Sequence, residues 1–136
     1  MHLPVLGAAA LLLPISTVIA DAQALWNAIA SANAREMVTI SDRYCARHDV
    51  TSCKLFRLMA GSCAATAALA GSYVQQVRSG RTTFTQLHEA MEKSSGSVVA
   101  EENGAIRIAE AAPAGISDAA LTQQVWHQCL STLRLQ

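Results

Sequence analysis

The stretch 52–80, SCKLFRLMAGSCAATAALAGSYVQQVRSG, restricts the fold most, because no charged side chain lies between Arg57 and Arg78. An uncharged run of about 20 residues is either a membrane span or the central helix of a small core. On a helical wheel its apolar residues share one face, whereas Lys54 and Gln76 lie on the opposite face. A lipid-facing helix is apolar all round, so we predict a core helix.

The composition favours an all-α fold in a single domain. The chain has 136 residues, of which 51% are hydrophobic, and this is enough for one core. Aromatic residues make up only 4%, whereas alanine, the best helix former, is abundant. We therefore predict a small disulfide-stapled helical bundle of about four to five helices.

Capping residues and breaks divide the chain into helices. Thr51 or Ser52 would cap the central helix, Thr83 with Gln86 forms a capping box, and Ser117 would cap the last helix. The polar residues at 31–33 allow a break in the first helix. The predicted helices are 22–46, 52–80, 83–93, 103–112 and 117 onward.

The segment 98–109 has two interpretations. Asn103-Gly104 between two β-branched runs is a β-hairpin signal. A lone two-stranded hairpin is only marginally stable, and the alanine-rich end of the segment favours a helix. We predict a helix over 103–112 and keep the short hairpin as the alternative.

The first 22 residues have the pattern of a cleavable signal peptide. They form an apolar run that ends in the small-x-small sequence Ala20-Asp21-Ala22. We predict cleavage after Ala22, with Ala24 as the second choice, which leaves one helical domain over 23–136. The first cysteine is Cys45, far from the cleavage site, so we expect a periplasmic or secreted protein without a lipid anchor or a stable membrane span. The alternative is an uncleaved helix that anchors the chain.

The charges are balanced, with ten Lys and Arg against ten Asp and Glu. This balance disfavours nucleic acid as a partner, because nucleic-acid-binding proteins carry a basic surface. The first half of the chain is nevertheless basic and the second half acidic. We attribute this asymmetry to helices of opposite charge that pack within the domain or across a homodimer.

Four cysteines in a small exported chain predict two disulfides, for which three pairings exist. Cys63 and Cys129 lie at the middle of two buried stripes, which favours a bond between the central and last helices. Cys45 and Cys53 flank one loop and would join two consecutive helices. We favour these two pairs, with the other pairings and four free thiols as alternatives.

A metal or small-ligand site is the main alternative use of these residues. Cys45, His48 and Cys53 could hold a metal ion, but their spacing matches no usual zinc module and a fourth ligand is lacking. His88-Glu89 resembles the start of a zinc-protease helix, but Glu92 occupies the position of the second histidine. We predict no metal and no cofactor.

No catalytic motif is present in the sequence. It lacks a Gly-x-Ser-x-Gly elbow, a Ser-x-x-Lys pair, a Cys-x-x-Cys redox pair and a phosphate-binding glycine loop. We therefore expect a non-enzymatic exported protein that binds another protein, as an inhibitor, an immunity factor or an accessory of a secretion or envelope system. A membrane-anchored structural subunit is a further alternative. The candidate contact residues are His48, Tyr73, Gln76 and Arg81.

A distant family likeness agrees with this expectation. The central helix carries Cys63 and ends in the turn Arg78-Ser79-Gly80, and a short helix over 83–91 and a last helix with Cys129 follow. This layout, over residues 45–131, resembles small exported helical proteins of uncharacterised function in Gram-negative bacteria and their phages. It is more remotely similar to periplasmic immunity proteins that neutralise secreted amidase toxins. The resemblance implies an exported helical protein.

Overall fold

A computed structural model describes residues 3–96 and 99–134, with side chains described over 22–96 and 99–133. These residues form five helices and no strand. The prediction of a small all-α disulfide-stapled bundle is therefore confirmed. The helices are α1 (Leu3–Cys45), α2 (Val50–Arg78), α3 (Phe84–Glu92), α4 (Val99–Ala111) and α5 (Asp118–Arg134).

Helix α2 is the centre of the bundle. It packs against α1, α4 and α5, while α1 also contacts α5 and α3 contacts α4. Among the described residues it is the one helix whose length and composition would suffice to cross a membrane. Its buried face largely follows the predicted apolar stripe, although Met59 and Val77 are only half-buried. The buried residues of α2 are Phe56, Ala60, Cys63, Ala67, Ala70, Gly71, Tyr73 and Val74.

The start of α2 differs by two residues from the prediction. Asp49, and not Thr51 or Ser52, is the N-cap, and its carboxylate accepts a hydrogen bond of 2.7 Å from the amide of Ser52. This bond stabilises the ionised carboxylate and lowers the pKa of Asp49. A carboxylate at this position also complements the positive amino end of the helix, which a hydroxyl does not.

The end of α2 is a Schellman motif built on one glycine. Gly80 has a φ of +78°, a conformation that costs glycine little because it has no Cβ. The amide of Arg81 donates to the carbonyl of Gln76 at 3.0 Å, and that of Gly80 donates to Val77 at 3.1 Å. The predicted stop at Gly80 is therefore correct to within two residues.

Two other predicted helix starts are confirmed. The amide of Gln86 donates to the hydroxyl of Thr83, and the amide of Thr83 donates to the Gln86 side chain, both at 3.1 Å. This is the capping box predicted for α3. Ser117 accepts a 3.0 Å hydrogen bond from the amide of Ala120 and caps α5.

The break that the polar residues at 31–33 would allow does not occur. Helix α1 continues through 31–33, and Asn33 is only 5% exposed on the side that faces the bundle. Helix α1 packs against α2 and α5, and such tertiary packing overrides a weak local break signal. The predicted signal segment and the first predicted helix consequently belong to one helix in the unprocessed chain.

The segment between 99 and 111 is a helix and not a hairpin, although Val98, part of the hairpin alternative, lies outside the described residues. The helix begins at Val99, four residues before the predicted start. Glu101 and Glu102 lie in its first turn, where negative charge favours helix formation. Ala105, Ile106 and Ala109 form its buried face and attach it to the bundle.

Candidate functional site

Both disulfides join α2 to a neighbouring helix, in the pairing that the sequence favoured. Cys45, the last residue of α1, is bonded to Cys53 in the first turn of α2, with 4.8 Å between their Cα atoms. Cys63 is bonded to Cys129 of α5, with a Cα separation of 5.6 Å. The first bond closes one end of the bundle, and the second crosses the core.

The bond at the α1–α2 turn removes the predicted metal alternative. Cys45 and Cys53 are bonded to each other, so neither has a thiolate to offer a metal ion. His48 lies between them and places Nδ1 2.8 Å from the carbonyl oxygen of Tyr44. No group of three or more potential metal ligands occurs among the described residues.

Aromatic stacking stiffens the same end of the bundle, which we call the tip and define as residues 43–58. The rings of His48 and Tyr44 are stacked with centroids 3.7 Å apart, and Tyr44 stacks on Phe56 at 4.1 Å. Phe56 is buried, whereas His48 is exposed. The stack therefore connects the exposed turn to the hydrophobic core.

Large apolar side chains are exposed at the tip. Val50, Leu55 and Leu58 are 71%, 58% and 73% exposed, and among the described residues only Leu25 and Val38 of α1 are other large hydrophobic residues of this kind. Leu55 and Leu58 are one turn apart on α2 and lie next to each other, whereas Val50, at the start of the helix, lies about 80° around the axis from Leu58. The tip thus presents an apolar patch.

The position of α4 explains why this patch is uncovered. The Ser62 hydroxyl donates to Glu101, in the first turn of α4, at 3.1 Å. At the other end of α4, Ala109 lines a cavity together with Val74 and Val77. Helix α4 therefore lies along α2 from about Ser62 to Val77 and leaves the first three turns of α2 outside its reach.

The charged groups at the tip leave a surplus of cations. Asp42, the residue just before the tip, pairs with Arg57 at 3.4 Å, and Asp49 is engaged as the N-cap of α2. Arg43, Arg47 and Lys54 are exposed and have no carboxylate within 4.0 Å among the described side chains. The apolar patch is therefore bordered by basic residues.

The contact residues predicted from the sequence do not form one surface. His48 lies at the tip, but Arg81 follows the far end of α2, and the half-buried Gln76 donates to Ser72 at 2.9 Å. Tyr73 is buried, and its pKa is raised by this burial and by the nearby Glu102, so its prediction as an exposed contact is wrong.

The sequence did contain a signal for the exposed leucines of the tip, which were not predicted as contact residues. Leu55 and Leu58 lie off the apolar stripe of α2, close to Lys54 and Arg57. A large apolar side chain on the polar face of a two-faced helix is a candidate interface residue.

The opposite end of the bundle is closed by close packing and not by a covalent bond. A Cβ atom placed on Gly71 would lie 1.9 Å from the Thr122 hydroxyl oxygen and 2.3 Å from Nε1 of Trp26. Both distances are far below van der Waals contact, so only glycine allows α1 and α5 to approach α2 here. We call this contact the three-helix junction.

Arg78 attaches the loop before α5 to the end of α2. Its guanidinium donates to the carbonyl of Ile116, and it also reaches the carbonyls of Pro113 at 3.3 Å and Ala114 at 3.4 Å. Next to it lies a cavity of about 290 Å³ between the middle of α1, the end of α2 and the start of α5. The cavity is lined by Ala22, Gln75, Arg78, Ser79, Ser117 and Asp118.

Comparisons with known proteins identify no relative of this chain. No family model, no curated protein and no solved structure matches the chain. The resemblance to exported immunity proteins therefore stays a prediction, and the functional proposal depends on the geometry of the tip.

Proposed function

We propose that this is an exported, non-enzymatic helical protein that binds another protein through the tip. The observation that carries the proposal is the exposure of Val50, Leu55 and Leu58 at a disulfide-bridged end of the bundle. Exposed apolar patches bordered by polar residues are typical of interaction sites. Two disulfides are consistent with the oxidising compartment to which the signal-like segment would direct the chain.

The tip is suited to binding because little of it has to become ordered. The Cys45–Cys53 bond fixes the turn, and the Tyr44–Phe56 stack holds it against the core. A surface that is rigid before binding loses less conformational entropy when a partner docks. Apolar side chains on such a surface can therefore contribute most of their transfer free energy to the complex.

A small recess completes the surface. Leu55 borders a cavity of about 70 Å³ that is also lined by Tyr44, Phe56 and Met59. An aromatic or aliphatic side chain of a partner could enter it, as anchor residues do at the centre of many interfaces. The bordering Arg47 and Lys54 would favour a partner with acidic residues around an apolar centre. An inhibitor of a secreted enzyme or an accessory subunit of an envelope assembly would use such a surface.

A photo-reactive amino acid at position 58 tests the proposal in cells. The full chain is expressed in its own host, irradiated, and examined for adducts, with a second probe at Gln124, an exposed residue of α5, as the matched control. We expect a protein adduct from position 58 and none from position 124. The adduct protein is then purified, and its affinity for the chain is measured with and without the Leu58→Ser substitution.

A loss of affinity of tenfold or more for Leu58→Ser would support the tip as the binding surface. Equal affinity of the two chains, or equal adducts from both probe positions, would contradict it. Binding of the tip to phosphatidylglycerol vesicles without any protein adduct would replace a protein partner by a lipid surface and would also contradict the proposal.

A further inference from the structure

The cavity at the far end of the bundle lies where the predicted mature chain begins. The three-helix junction of Trp26, Gly71 and Thr122 fixes the positions of α1, α2 and α5. The cavity begins one helical turn from this junction, because one of its lining residues on each helix lies four positions from a junction residue. Its wall on the three helices includes Ala22, Gln75 and Asp118, together with Arg78.

Asp118 is a buried carboxylate without a cation. It is only 8% exposed, and Oδ1 accepts one hydrogen bond of 2.7 Å from the amide of Ala119. No Lys, Arg or His nitrogen among the described side chains lies within 4.0 Å of it. Arg78 lines the same cavity, but its guanidinium is hydrogen-bonded to the carbonyls of the loop before α5. The Asp118 carboxylate therefore has a hydrogen-bond donor but no cationic partner.

We infer that the cavity binds the amino-terminal ammonium group of the chain itself after the signal segment has been removed. Hydrolysis of the bond between Ala22 and Gln23 would leave a carboxylate on Ala22 and a primary ammonium on Gln23. Loss of Ala22 would open the α1 side of the cavity, and Trp26, held at the junction three residues further on, would keep the new ammonium at this opening, on the side facing Asp118. The inference depends on the predicted processing and not on the function proposed for the tip.

Four groups determine the potential that this ammonium meets. Asp118 and the carbonyl end of α2 are negative, whereas Arg78 and the amino end of α5 are positive. The carboxylate therefore decides the sign. With Asp118 ionised the ammonium is favoured, and with a neutral residue at position 118 the remaining Arg78 charge disfavours it.

The test uses the full chain, exported and processed by an expressing cell. Mass spectrometry of the product establishes whether it begins at Gln23 and keeps its amine, because an amino-terminal glutamine can cyclise with loss of ammonia. The pKa of the α-amino group is then measured by NMR titration in the wild type, in Asp118→Asn, and in Asp42→Asn. The last variant is the matched control, since Asp42 is an exposed carboxylate next to the tip, far from the cavity.

We expect the pKa of the amino group to rise by about one unit above its ordinary value near 8 in the wild type and in Asp42→Asn. In Asp118→Asn it should fall to or below the ordinary value. A raised pKa contributes stability that is complete below the unfolded value and is lost as the pH rises through the folded value. The advantage of the wild type over Asp118→Asn should therefore shrink between about pH 8 and 10.

Three results would overturn the inference. They are a product that begins elsewhere, an amino terminus that is fully cyclised, and an amino pKa that Asp118→Asn leaves unchanged. If Asp118→Asn does not fold, the comparison is made within the wild type, between the folded chain and the same chain in urea. Equal pKa values in those two states would be equally decisive.

Discussion

The two ends of the bundle are closed in different ways, and their apolar side chains are exposed at one end and packed at the other. At the tip a disulfide joins α1 to α2, and Leu55 and Leu58 point to solvent. At the opposite end no disulfide is present among the described residues, and Trp26 is packed onto Gly71 with Arg78 bonded to the next loop. Where a covalent bond holds the backbone, nearby apolar side chains can stay exposed and available for binding. Where packing holds the helices together, the side chains that do so are buried.

The largest effect on stability should come from the disulfide that belongs to neither end. The Cys63–Cys129 bond closes a loop with a sequence separation of 66 residues, and Cys63 is only 3% exposed. Replacing both cysteines by alanine should lower the free energy of unfolding by about 4 kcal/mol, because the unfolded chain gains loop entropy. Urea denaturation followed by circular dichroism measures this change. A loss below that of the Cys45–Cys53 pair would contradict the loop-entropy explanation.

The next largest effect should come from the three-helix junction. Gly71→Ala places a Cβ 1.9 Å from the Thr122 oxygen, so α1 or α5 must shift, and we expect a loss of about 3 kcal/mol. Gly61→Ala is the matched control on the same helix, since a Cβ there has no neighbour within 4 Å. The control should gain about 0.5 to 1 kcal/mol from helix propensity. Equal effects of the two substitutions would show that the junction is not closely packed.

Removal of the tip disulfide should have a smaller effect. Its loop has a sequence separation of only 8, for which the chain-entropy model gives about 2.5 kcal/mol. If the tip binds a partner, however, the Cys45→Ala/Cys53→Ala variant should lose affinity even under conditions in which it is fully folded. Titration calorimetry with the partner, at a temperature where circular dichroism shows native helicity, separates the two effects. Unchanged affinity would show that the turn is held well enough by the His48 and Tyr44 stack alone.

Local signals in the sequence predicted the fold, and tertiary packing decided most of what they missed. The capping box at Thr83 and the stop at Gly80 depend on neighbouring residues and were correct. The burial of Tyr73 and the exposure of Leu58 depend on where α4 begins along α2, which no local pattern contains. The disulfide pairing was favoured correctly because helical periodicity placed Cys63 in a buried stripe.

Replacing the N-cap of α2 should have a smaller effect on the stability of the tip, and this effect should depend on pH. Asp49 has a pKa below its model-peptide value of 3.8, because the amide of Ser52 stabilises the ionised form. A lowered pKa means that the carboxylate stabilises the fold above pH 3.8 and that this contribution is lost as the pH falls through the folded value. Asp49→Ala should therefore have a lower melting temperature than the wild type at pH 7, and the difference should shrink towards pH 2. A difference that is constant with pH would exclude the carboxylate as its source.

The smallest effect on stability should occur where the effect on binding is largest. Leu58 is 73% exposed, so Leu58→Ser removes few contacts and should change the free energy of unfolding by less than about 0.5 kcal/mol. Leu130, on the buried side of α5 and 3% exposed, provides the matched comparison, and its truncation to alanine should cost about 2 to 5 kcal/mol. Urea denaturation of both variants measures the difference. If Leu58→Ser destabilises the chain as much as Leu130→Ala, the exposed leucine is part of the core and the tip has no apolar surface to offer. If it leaves the fold intact and lowers the affinity for the adduct protein tenfold or more, the distinction between an end that binds and an end that packs is established by a single side chain.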